Sequence, residues 1–231
     1  MNKFLMAAAL LMLCSGVPVR ADQTKTEVQE RLQSATATLH ELAATPDKGI
    51  PDEVYRNAKC VAVVPRMING AFIVGGKHGR GVTTCRLPDG SWSAPAFFSI
   101  SGGSWGLQAG VENIDLVMMI MNDEGARHLL ENKFQVGASV SGAAGPVGRH
   151  ASAGVDWKLD TQILTYSRAK GLFAGVDLSG SWIEHDSDST TALYGKDVST
   201  TATLTGQIPV PAAAKGFIAE VARVKTEAEA R

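Results

Sequence analysis

One five-residue string in the chain fits a catalytic pattern. Gly102-Gly103-Ser104-Trp105-Gly106 matches the G-x-S-x-G elbow that presents a nucleophilic serine in α/β-hydrolases. The elbow needs a strand, a sharp turn and then a helix. Residues 94–100 can supply the strand, but Leu107-Gln108-Ala109-Gly110-Val111 reads as another strand. An acid followed by a histidine exists, Asp156 or Asp177 before His185, without the parallel sheet that would bring them to Ser104. The string is therefore expected to be a glycine-rich bend, with a serine esterase or lipase using Ser104 as the alternative. His40, His78, His128, His150 and His185 stand far apart and form no H-E-x-x-H, so no metal site is expected. Residues 71–78 lack the first glycine and the Ser/Thr of a phosphate loop. Asp186-Ser187-Asp188 lacks the glycine and distal glutamate of a calcium loop. No cofactor is expected.

Two basic spots remain. Lys77, His78 and Arg80 lie in the glycine-rich segment 75–81, which reads as a hairpin tip, and Arg168 and Lys170 bracket Ala169. Backbone amides at such turns, with cations beside them, can hold a phosphate group. Each cation near an anionic membrane is worth about 1 kcal/mol. Lys77, Arg80, Arg168 and Lys170 are thus the candidate headgroup-binding residues. The competing reading is ordinary solubility charge on exposed loops.

The elements that must position these groups come after a leader. Residues 1–3 carry one positive charge, 4–13 are an unbroken apolar run, and a short stretch with Pro18 ends at Ala21. That is the layout of a secretory signal peptide, too short in its apolar part to span a bilayer. Cleavage after Ala21 is expected; the alternative is a lipoprotein signal acylated at Cys14, which the bulky Leu13 disfavours. The chain is therefore expected in the periplasm or cell envelope, or secreted. The 231 residues carry a net charge of −1, and loss of Lys3 and Arg20 takes the mature chain to −3. No overall basic field remains for nucleic acid. Export leaves Cys60 and Cys85 as an even pair in an oxidising compartment, where a disulfide is expected and two buried thiols are the alternative.

A hydrophobic content of 45% against 19% charged residues excludes a disordered chain, and the length suits one domain over 22–231. Helical spacing predicts a helix over 24–44, a short one from Pro51 to about Lys59, one opened by Asn122, one over 187–194 stopped by Gly195, and a closing helix over 211–230. Short apolar runs between glycine and proline clusters predict many strands from 60 to 182, with Pro88-Asp89-Gly90 as a turn. The expected fold is α+β: a curled, barrel-like antiparallel sheet with N-terminal, inserted and C-terminal helices.

Several strings stand together in order: Ala58-Lys59-Cys60-Val61-Ala62-Val63-Val64-Pro65, Gly70-Ala71-Phe72-Ile73-Val74-Gly75-Gly76, Gly90-Ser91-Trp92-Ser93-Ala94-Pro95-Ala96-Phe97, the Gly102–Gly106 string, and Tyr166-Ser167-Arg168-Ala169-Lys170-Gly171-Leu172-Phe173-Ala174-Gly175. In this order they resemble a SYLF domain of the bacterial secreted type, over about residues 51–221. The resemblance implies a lipid-binding module without catalysis, recognising phosphoinositide-like or other acidic phospholipid headgroups. Eukaryotic members of the family act at membranes with actin; an exported chain would meet neither actin nor phosphoinositides, so the expected partner is an anionic phospholipid or membrane surface, with protein partners left open. A structural envelope or stress protein is the third reading. The leading helix, whose apolar side is mostly Ala and Leu, is expected to pack into the core rather than insert into lipid.

Overall fold

The structure, a computed structural model, describes residues 18–44, 49–146, 161–169, 172–174 and 176–231. Most of the expected leader, including Cys14, lies outside them, as do Lys170, Asp156 and the strand expected over 150–157.

Helix α1 (Pro18–Ala43) carries Val28, Leu32, Ala35, Leu39 and Leu42 in alternating steps of four and three, which places them on one stripe. All five are buried, against Phe217, Val221, Val224 and Ala228 of the C-terminal helix, whose spacing is the same. The leading helix is thus a core element. Helix α2 (Asp52–Asn57) follows, opened by Pro51 and two acids at its positive end.

The chain then forms one long hairpin. Strand β1 (Cys60–Cys85) pairs antiparallel with β2 (Ala96–Ile120), from Cys60 opposite Ile120 to Thr83 opposite Ala96. The turn falls at Pro88-Asp89-Gly90 as expected; Gly90 takes a φ of 86° and the Asp89 carboxylate accepts from the Ser91 amide at 2.9 Å. Side chains alternate between two cores. Val61, Val63, Val117 and Met119 face the helices, whereas Cys60, Ala62, Val64, Leu116, Met118 and Ile120 fill the inside of the curl. A strand buried on both faces reads as a continuous apolar run, which is why the sequence broke these strands only at glycines.

Helix α3 (Asp123–Leu129) is capped by Asn122, whose side chain accepts from the Gly125 amide. Strands β3 (Lys133–Gln135), β4 (Gly142–Ala144), β5 (Ile163–Ala169), β6 (Leu172–Ala174) and β7 (Trp182–His185) complete a seven-stranded sheet of order β3-β7-β2-β5-β4, with β1 on β2 and β6 on β5. The β4–β5 pair is parallel; the others are antiparallel. Helices α4 (Ser187–Tyr194, stopped by Gly195 at a φ of 76°), α5 (Thr200–Leu204) and α6 (Lys215–Ala230) close the chain. The expected α+β class with a curled sheet is what forms.

Sequence expectations change in several places, among them the Gly102–Gly106 string, expected as a bend and found within β2. Segment 75–81 is no hairpin tip: it lies within β1, with Lys77 opposite Gly102 and Arg80 opposite Ser99. Two of its glycines, Gly79 and Gly81, serve close approach. A Cβ at Gly81 would fall 2.3 Å from the Phe98 ring, and one at Gly79 would fall 2.5 Å from Val64 Cγ1. Gly81→Ala should accordingly cost about 1–3 kcal/mol by overpacking, read as a lower guanidinium midpoint; an unchanged midpoint would mean that the ring moves aside freely. A further change is α5, which no periodicity announced because three of its five residues are threonine, a poor helix former. The Ser199 cap, accepting from the Ala202 amide, holds its first turn.

The ends of β1 meet. Cys60 and Cys85 form a disulfide with their Cα atoms 4.0 Å apart, although a straight strand of 26 residues would run roughly 85 Å. Register shifts between Val64 and Met67 and between Ala71 and Ile73 let the strand bend, and Arg66 takes a φ of 53° at the first of them. The Arg86 amide donates to the Lys59 carbonyl at 2.8 Å beside the bridge.

A buried charge pair pins α1 to the other side of the body. Arg31, only 7% exposed, donates to Asp186 at 3.3 Å and to the Ser189 hydroxyl at 2.9 Å, and its guanidinium stacks over Phe97. Arg80 lies 3.7 Å from the same carboxylate. Burial pushes the Asp186 carboxyl up, but hydrogen bonds from the Ser189 hydroxyl and amide, with Arg31 and Arg80 nearby, outweigh it and hold it below the usual range.

Candidate functional site

The residues proposed from sequence for headgroup binding are not gathered in one open cluster. Lys77 donates to the Asp177 carbonyl at 2.7 Å, and burial pulls its ammonium down. Arg80 sits between Asp186 and Glu27. Arg168 is held by Glu41 and by Asp115, the latter at 2.9 Å. Both arginines thus have carboxylate partners of their own, and Lys170 lies outside the described residues.

Ser104 occupies the interior of β2, opposite Gly75, so the strand-turn-helix of a nucleophile elbow is not formed there. His185 pairs opposite Phe98, six positions from Ser104, on the order of 20 Å along the strand. It is already engaged: Nε2 meets Asp197 at 3.0 Å and Nδ1 meets the Thr200 hydroxyl at 3.0 Å. This acid–imidazole–hydroxyl line borders a cavity of about 20 Å³, near the size of one water, and Thr200 is buried. It ties α5 to β7 and leaves no room for an acyl substrate.

A set of cations converges on open space around the disulfide. Lys59 precedes Cys60 and Arg86 follows Cys85, so the bridge and the Arg86–Lys59 backbone bond bring two distant cations side by side. Arg56 from the end of α2 joins them in a cleft of about 530 Å³. Arg86 and Gly90 also line a second hollow, a groove of about 460 Å³ against α6, which adds Lys215 and Lys225. Lys225 is nearly buried: its ammonium donates to the Arg56 carbonyl at 2.6 Å and lies 3.5 Å from Glu229. Burial pulls that ammonium down, and the facing Arg86 adds to it against the opposing pull of Glu229. Five cations therefore line the two hollows against two carboxylates, Asp123 and Glu229. Asp123 pairs with Lys59 at 3.2 Å. Among the described residues no ion pair ties Arg86 or Lys215. Such a surplus of positive charge in a concave, partly dry place favours an anion. Sequence reasoning passed over this set because its members stand up to 169 positions apart. One signal was present: each cysteine has a cation beside it, so the expected bridge already implied a pair of neighbouring charges.

The class so defined is a curled α+β domain whose open chemistry is a basic cleft. Comparison with known proteins names the family. Residues 101–224 match Ysc84, described as Las17-binding protein actin regulator. The chain is 34% identical over 171 residues to SH3 domain-containing YSC84-like protein 1 of Rattus norvegicus, covering 74% of this chain and 50% of that protein. It is 35% identical over 171 residues to Protein YSC84 of Saccharomyces cerevisiae, covering 73% of this chain and 36% of the yeast protein. The chain belongs to the Ysc84, or SYLF-domain, family. It spans half or less of the length of these relatives. The family description corrects one expectation. An anionic phospholipid or membrane surface was expected as partner, with protein partners left open; the matched family is instead described by a protein that it binds and by actin regulation, so a purely lipid reading of the family does not hold. The rat relative is named as an SH3 domain-containing protein, and neither relative is named as an enzyme.

Proposed function

We propose that residues 22–231 act as one non-catalytic binding module, which holds the anionic headgroup of an acidic phospholipid in the basic cleft and engages a protein partner through another part of its surface. The observation that carries the reading is the surplus of five cations over two carboxylates, with Arg86 and Lys215 tied by no ion pair among the described residues. The protein partner enters from the family description alone. Export to the periplasm or envelope belongs to the same proposal, and the disulfide supports it, since such bridges persist in oxidising compartments. The absence of catalysis is supported by the names of the relatives and by the position of Ser104 within a strand.

Co-sedimentation with vesicles tests it. Binding should require anionic lipid and weaken as salt is raised. Arg86→Ala with Lys215→Ala should cost about 2 kcal/mol, roughly thirtyfold in affinity. Lys77→Glu with Arg168→Glu should leave vesicle binding near the wild-type value, and the reverse pattern would return the site to the positions chosen from sequence. Binding indifferent to headgroup charge would overturn the proposal in favour of a structural role. Hydrolysis of short acyl esters that disappears in Ser104→Ala, with folding intact, would overturn the non-catalytic part.

A further inference from the structure

The two hollows that share Arg86 and Gly90 differ in chemistry. The one beside the disulfide is lined by Arg56, Lys59 and Arg86, with Asp123 paired to Lys59. The groove against α6 has an apolar floor, formed by the buried Trp92 with Val210, Ile218, Ala219 and Ala222, and its cations stand along it. Val210, Ile218 and Ala222 already pack at the edge of the helix-side core, so the groove is an outward extension of that core. A flat headgroup site would need only the charged hollow. Cations leading directly into an apolar trough fit a molecule with an anionic end and a hydrocarbon end. The groove volume of about 460 Å³ falls within the range of small-ligand pockets, roughly 300–1,000 Å³.

We infer that the groove seats an acyl chain of the same lipid whose phosphate lies among Lys59, Arg86 and Lys225, so that the protein holds a single amphiphile with its chain drawn out of the bilayer. This rests on the headgroup reading given above. Charge complementarity fixes the direction: the anionic end lies at Arg86, where the hollows meet, and the chain runs along α6 over Trp92. The nearby Glu229 is engaged with Lys225.

Titration calorimetry with inorganic phosphate and with butyl, hexyl, octyl and decyl phosphate, each below its micelle concentration, tests the inference on the full oxidised protein. Affinity should rise about fourfold for every methylene buried, then level off once the groove is full. Arg86→Ala should weaken every member of the series by a similar factor. Ala219→Trp, at an exposed position on α6, should flatten the chain-length dependence while anionic vesicles still bind. Circular dichroism checks that the variant is folded, and Ala222→Trp gives a second filling of the same groove. A series with no chain-length dependence, beside intact vesicle binding, would overturn the acyl seat and leave the headgroup reading standing. A chain-length dependence that survives both groove-filling variants would place the hydrocarbon elsewhere and overturn it too. No binding of vesicles or of any phosphate would overturn both readings.

Discussion

Asp186→Ala is expected to cost about 3–5 kcal/mol of folding stability, because it leaves the buried Arg31 guanidinium without its counter-charge. The carboxylate has several tasks. It accepts from Arg31, it caps α4 through the Ser189 amide at 3.0 Å, and it accepts from the Ser189 hydroxyl at 2.7 Å. Loss of the cap alone would cost about 1 kcal/mol, so the stranded charge dominates. Arg31→Met combined with Asp186→Ser, which removes the charge and keeps a cap, should recover most of the loss. Guanidinium unfolding of the three proteins reads this directly. Equal midpoints for wild type and Asp186→Ala would remove the pair from the account of how α1 is held. The pH dependence follows in sign. The folded carboxyl ionises at lower pH than in the unfolded chain, where an aspartate titrates near about 3.9. Its stabilisation is therefore fully present above that pH and drains away as pH falls through the folded value.

Opening the Cys60–Cys85 bridge should cost about 3–4 kcal/mol, from a closed loop spanning 25 positions. For a chain of this size that is a fall in Tm of roughly 10 °C. Calorimetry of the oxidised protein against Cys60→Ala with Cys85→Ala measures it. The consequence reaches the cleft, since the bridge and the adjoining backbone bond keep Lys59 and Arg86 side by side. The double alanine variant should therefore lose anion affinity at temperatures where it is still folded. Full affinity in that variant would show that the backbone bond is sufficient to hold the cations together.

The fold was legible where one physical rule ruled a segment alone. The stripe from Val28 to Leu42 gave α1 and its buried face, Asn122 and Gly195 gave helix ends, and Asp89-Gly90 gave the turn. The long strands were harder. Glycines that accommodate Val64 and the Phe98 ring look in sequence like glycines that make turns, because both uses remove a side chain. The site was hidden for a different reason. Lys59, Arg86, Lys215 and Lys225 converge only because β1 returns to its starting point and α6 packs across the turn, and no local pattern encodes either event. Arg80 and Arg168 were chosen for their glycine-rich surroundings, whereas the carboxylates that hold them come from α1, β2 and the start of α4.

The bent course of β1 also bears on how readily one copy could add to another. Among the described residues the one strand that β1 pairs with is β2. A straight ribbon of that length would be an open template for another chain. Wound into a ring and kinked at two irregular points, it offers no long flat run for a second copy to match. Conditions that unfasten the ring would straighten this strand, and the first sign should be assembly of the reduced protein rather than simple unfolding.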